Sequence, residues 1–134
     1  MNLIPLLNED LALEYAAAIQ YMQHAARIAG LYTAFAEELA THAEEELGHA
    51  KLLNEHIAFL GGVPSVAVGQ VLTASDSVVM LKQDLEGEQT AIARYTERTG
   101  QARGQGDYGT EAILLEILKQ EQQHSNDLRT ILDG

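Results

Sequence analysis

Two Glu-x-x-His pairs, Glu46 with His49 and Glu121 with His124, stand in the chain with two single glutamates ahead of them, Glu14 and Glu88. Glu14 precedes Glu46 by 32 residues and Glu88 precedes Glu121 by 33, so the set is an internal repeat. On a helix, residues i and i+3 share one face, and each pair can direct a carboxylate and an imidazole to a common centre. Four carboxylates and two imidazoles, with no thiolate in a chain that lacks Cys, form a donor set for iron or manganese, with zinc able to use the same groups. Buried without counter-ions, the carboxylates would each cost several kcal/mol and would repel one another until some took up protons. Two divalent cations balance their four charges. A single Glu-x-x-His is most often a solvated helix face; two copies, each led by a glutamate at a matched distance, are not explained that way. Tyr21 and Tyr95 extend the repeat, each seven residues after its single glutamate.

These residues need helices to present them, and the apolar spacing supplies four. Leu7, Leu11, Ala18, Ala25 and Ile28 recur at three-and-four spacing and predict α1 over about 3–29, closed by Gly30. Phe35, Leu39, Leu53 and Leu60 predict α2 over about 32–60, stopped by Gly61, Gly62 and Pro64. Val78, Leu81, Leu85, Ile92 and Tyr95 predict α3, capped by Ser75 or Asp76 and running to about 101. Leu114, Leu118 and Leu128 predict α4 over about 108–131. Extending each stripe by its own period brings Glu14, Glu46, Glu88 and Glu121 onto inward faces, while Glu86 falls about 160° from Glu88 and should be solvated. The segment GGVPSVAVGQVLTA between α2 and α3 is apolar, carries Gly and Pro and has no helical period, so it reads as a packed connection. It is long enough to cross the bundle, which gives two antiparallel hairpins joined by one long crossover.

Composition narrows the partners. With 46% hydrophobic residues, 11 Gly and 2 Pro, 134 residues suit one all-α domain spanning residues 1–134. A formal charge of −12 repels a phosphate backbone, so nucleic acid is not expected. No apolar run reaches the length of a membrane span and no basic leader precedes one, so a cytoplasmic protein without a membrane partner is the expectation. Apolar outer faces on α1 and α2, with several Ala and Tyr32, suggest a homo-oligomer of at least two copies.

Together these features resemble the ferritin-like superfamily, and bacterioferritin most of all. The segment EEELGHAKLLNEHIAFLGGVPS carries the clearest likeness, and ligand order and spacing agree over about residues 10–128. The resemblance implies a ferritin-like antiparallel four-helix bundle. It also implies two iron ions, with Glu14 and Glu88 as terminal ligands, Glu46 and Glu121 as bridges, His49 and His124 as nitrogen ligands and Tyr21 as a catalytic-site partner beside them. The implied activity is that of a di-iron ferroxidase, taking Fe2+ and O2 or H2O2 for iron handling or storage. Leu47 stands where bacterioferritin has its haem-ligating Met, so haem is not expected. The sequence ends at Gly134, before the further short helix of cage-forming ferritins, which leaves a closed shell open. Tyr95 looks like the matching tyrosine of rubrerythrin, whereas Ala91 replaces that family's extra carboxylate. A rubrerythrin-like peroxidase with an external electron donor is the enzymatic alternative, and a non-catalytic metal-binding bundle the structural one. An oxygenase is less expected, since so short a chain leaves little room for a substrate pocket.

Three further histidines and one aspartate are set aside. His42, one turn before Glu46, reads as a core-edge residue bonded to backbone, with a role at the entry or in support of the ligands as the alternative. His24 and His56 read as surface or interface residues, and Asp127 as a solvated side chain or an orienting partner of His124.

Overall fold

The stripes become four long helices in the computed structural model, which describes all of residues 1–134: α1 at Ile4–Arg27, α2 at Ala36–Phe59, α3 at Ser77–Gly104 and α4 at Tyr108–Asp133. Local chemistry sets their ends. Pro5 occupies the first turn of α1, where its missing N–H costs nothing. Asp76 and Asp107 cap α3 and α4, accepting from the Val79 and Thr110 backbone N–H groups at 2.9 and 3.1 Å.

Two boundaries differ from the sequence reading. Residues Gly30–Phe35, of which 32–35 were expected in the first turn of α2, form a separate 3-10 segment in which Gly30 turns the chain with φ +65°. That tighter winding suits a short corner between antiparallel helices. Helix α3 runs past residue 101 to Gly104, because exposed glycines at 100 and 104 weaken a helix without ending it, and the stop comes at Gly106 with φ +72°.

Helix α1 packs intimately on α2, and α3 on α4, while the α1/α3 and α2/α4 faces meet more loosely. The 60–76 crossover lies along α1 as expected of a packed connection: Ser65 N–H donates to Asn8 Oδ1, Gly69 N–H to the Ala12 carbonyl at 2.9 Å and Leu72 N–H to Gln20 Oε1. No side chain could be added at Gly69 without crowding Leu13 and the Ala12 carbonyl. Two apolar clusters result. One joins Leu7, Leu11, Leu53, Ile57, Leu114 and Ile117; the other joins Leu39, Ala43, Met80, Leu81 and Leu128. The charged residues of the repeat lie between them. No helix is long and apolar enough to cross a membrane.

Candidate metal centre

Each helix contributes to the polar middle from its inward face, and the fold brings Glu14, Glu46, His49, Glu88, Glu121 and His124 together, all at 4% exposure or less. His49 Nδ1 stands 3.3 Å from Glu14 Oε2, 3.6 Å from Glu46 Oε1 and 3.5 Å from Glu121 Oε1. His124 Nδ1 stands 3.1 Å from Glu46 Oε1, 3.5 Å from Glu88 Oε2 and 3.3 Å from Glu121 Oε1. Two four-donor groups follow, Glu14–Glu46–His49–Glu121 and Glu46–Glu88–Glu121–His124, each with donor atoms within 4.8 Å of one another. They share Glu46 and Glu121. Glu86 and Glu44 are exposed, as their helical positions require.

The donor atoms fit a pair of cations better than they fit one another. Glu14 Oε2, Glu46 Oε1, Glu88 Oε2, both Glu121 oxygens and both Nδ1 atoms are buried without a hydrogen-bond partner, a cost that native interiors avoid. Protons are the substitute for metal here. Burial, then the Glu121 charge, pushes Glu88 up to about 8 and raises Glu14. Burial and the neighbouring carboxylates push Glu46 well above the usual range. Burial also acts to raise Glu121, but the close approach of His124 and Glu46 outweighs it and brings Glu121 down. For His124 burial opposes the proton, yet the nearby Glu121 and Glu88 carboxylates win and raise it to about 10.

The outer atoms of the donors are held symmetrically. Tyr21 Oη donates to Glu88 Oε1 at 3.0 Å and Tyr95 Oη to Glu14 Oε1 at 2.7 Å, so each single glutamate is gripped by the tyrosine of the other hairpin. Burial and the adjacent carboxylates raise both phenols, which keeps them as donors. On the imidazole side, His49 Nε2 meets Gln120 Oε1, Gln120 Nε2 donates to Glu45, and His124 Nε2 lies 3.2 Å from Glu45 Oε1. This chain turns both Nδ1 atoms inward.

A cleft of about 220 Å³ between α1 and α3 reaches all four glutamates past Ala17, Gly87 and Ala91. The cleft stays open because α1 and α3 meet loosely. The space is below the roughly 300 Å³ at which drug-sized ligand pockets begin.

Several side readings need correction. His24 is fully buried, not at the surface, and its Nδ1 sits 2.8 Å from Asp84 Oδ1 while Nε2 meets the Leu72 carbonyl. His56 is buried against Thr110 Oγ1 at 2.6 Å. His42 is buried against Asp127 and not against backbone, and Asp127 reaches His42, not His124. Sequence reasoning also missed Asp10 and Asp84, each four residues ahead of its single glutamate and each almost wholly buried. Asp10 binds Arg98 Nε at 2.8 Å, the counterpart of Asp84 with His24. The repeat itself held the signal: positions 10, 14, 21 and 24 map onto 84, 88, 95 and 98 by one shift of 74.

Comparison with known proteins gives a consistent picture. A ferritin-like domain model matches residues 4–134. The chain is 33% identical to a bacterioferritin of Brucella melitensis over 98% of this chain and 83% of that one. It is 31% identical to a bacterioferritin of Streptomyces coelicolor over 98% of this chain and 80% of that one. Among solved structures, a ferritin-like, diiron-carboxylate protein from Bacillus anthracis superposes with a TM-score of 0.93 at 34% identity, covering 97% of this chain and 94% of that one.

Proposed function

The chain belongs to the ferritin-like domain family, and from that premise we propose that it is a di-iron ferroxidase-type protein, which binds Fe2+ and oxidises it with O2 or H2O2 in iron handling or storage. The observation that carries the reading is the pair of four-donor groups sharing Glu46 and Glu121. In this assignment Glu14 and His49 complete one ion's ligands and Glu88 and His124 complete the other's, with Glu46 and Glu121 held between both. Two Fe2+ ions lose one electron each, and with two protons these electrons take one H2O2 to two waters; a lone Fe2+ supplies only half of them.

The protein's own residues prepare this chemistry. Glu88, at about 8, and its neighbours hold protons that entering cations displace, so four carboxylates meet two cations without net buried charge. Tyr21 and Tyr95 fix the single glutamates, and the Glu45–Gln120 chain fixes the imidazoles. The 220 Å³ cleft admits a small oxidant and little more. Ile19 and Met22 of α1 and Leu47 of α2 expose apolar surface that supports association with a second copy.

The Tyr95–Glu14 bond favours a second reading, a rubrerythrin-like peroxidase in which the iron pair is recycled by an external donor. Anaerobic Fe2+ titration followed by an O2 or H2O2 pulse separates the two. Two Fe2+ per chain, rapidly oxidised and followed by uptake well beyond two, is the expected result. Two that cycle without accumulation support the peroxidase, and silence toward Fe2+ and oxidant removes both in favour of a bundle that other metals merely stabilise.

A further inference from the structure

The internal repeat provides a control within the molecule. A shift of 75 residues maps α2 onto α4, so Glu46 maps onto Glu121 and His49 onto His124. By the same shift Glu38, His42 and Asp127 correspond to Ile113, Ile117 and Leu52, which all pack in one apolar cluster. One end of the bundle thus fills this position with hydrocarbon, and the other fills it with two carboxylates and an imidazole. Nothing in the bundle's packing demands the polar set, since the apolar one is well accommodated in the same fold.

We propose that Glu38, His42 and Asp127 form a third divalent-cation site, one imidazole outward from the di-iron centre, where Fe2+ is staged before it enters. One donor atom from each lies within 4.8 Å of the others. His42 is 2% exposed, its Nδ1 has no hydrogen-bond partner, and its Nε2 reaches Asp127 Oδ2 only at 3.4 Å. Neither nitrogen therefore has a partner at ordinary length. The ring is held in place by Tyr21 at its edge, with centroids 5.0 Å apart, and by His124 stacked at 4.0 Å. Glu38 is raised by burial and by the Asp127 charge, and no Lys or Arg pairs with either carboxylate. Two oxygens and one nitrogen suit Fe2+, Mn2+, Co2+ or Zn2+ and leave positions for water, as a transient stop needs.

The staging role rests on the ferroxidase reading, whereas the site does not, and the test keeps them apart. Co2+ is titrated into the full-length protein, E38Q/D127N, E46A/E121A and the fourfold variant, with bound metal counted per chain. The expected result is a third, weaker Co2+ in the unaltered protein that E38Q/D127N loses while keeping two, and one Co2+ in E46A/E121A that the fourfold variant loses. Only two ions in the unaltered protein, or a third that survives E38Q/D127N, overturns the site. A single ion in the unaltered protein, lost in E38Q/D127N, supports the outer site and removes the di-iron reading instead. Stopped-flow filling of the inner pair by Fe2+ should slow severalfold in E38Q/D127N, and an unchanged rate overturns the staging role.

Discussion

Ile117 and His42 occupy matched positions one turn before Glu121 and Glu46, yet Ile117 packs among leucines while His42 lies against Tyr21, His124 and Asp127. The same divergence recurs in the other helix pair. Asp10 is held by the guanidinium groups of Arg98 and Arg94, whereas its counterpart Asp84 is held by His24 and the amide of Gln20. Inside that shell the ligand contacts agree: each single glutamate takes a tyrosine from across the bundle, and each imidazole faces both shared carboxylates. Convergence of six donors on two points leaves no tolerance for asymmetry, while a residue one turn away need only fill space and satisfy its neighbours. The two halves therefore agree where geometry is imposed by the centre and differ where it is not.

Removing the shared pair should break both halves at once. E46A/E121A is expected to lose both inner ions while circular dichroism retains the helices, and unchanged inner stoichiometry would sink the ligand assignment. Next come the outer pairs, which should differ. Asp10→Ala strands a permanently charged, buried Arg98 and should cost about 3–5 kcal/mol. Asp84→Ala leaves a histidine that can be neutral and still reach the Leu72 carbonyl, at about 1–3 kcal/mol. Urea unfolding of the apo-protein measures both, and a larger loss for Asp84→Ala would reverse the comparison.

The pH response should be common to both halves. Glu88 binds its proton at about 8 in the folded chain, against about 4.3 unfolded. Its contribution is thus complete below that lower value and is lost as pH rises to about 8. His124, at about 10 when folded and about 6.5 unfolded, adds a second loss above neutrality. Thermal melts of apo-protein at pH 6, 7 and 8 should fall steadily, and a rise would contradict the protonated cluster. The smallest effect is expected from Tyr21→Phe and Tyr95→Phe, about 0.5–1.5 kcal/mol each in apo stability. Their near equality in the same melts is the point, and a several-fold disparity would show that the halves are not equivalent at the centre.

The central residues were legible because a glutamate within an apolar stripe contradicts its surroundings, and four such contradictions at matched spacing agree with one another. The crossover was legible for a related reason, since an apolar stretch without helical period has to pack on something. Asp10 and Asp84 were harder to see. A buried aspartate at the margin of a stripe resembles a solvated one until its partner is known, and Arg98 lies 88 residues from Asp10. His24 and His56 were misread on the same ground, because their partners come from other helices or the crossover. The 3-10 corner depends on how tightly two helices must be joined, which local propensity does not encode.

The most direct measurement is a crystal of the protein soaked anaerobically in Fe2+, with anomalous scattering recorded at the iron edge. Two inner peaks are expected, one bonded to Glu14 and His49, the other to Glu88 and His124, with Glu46 and Glu121 reaching both. A single inner peak, or iron found only outside these six residues, would contradict it.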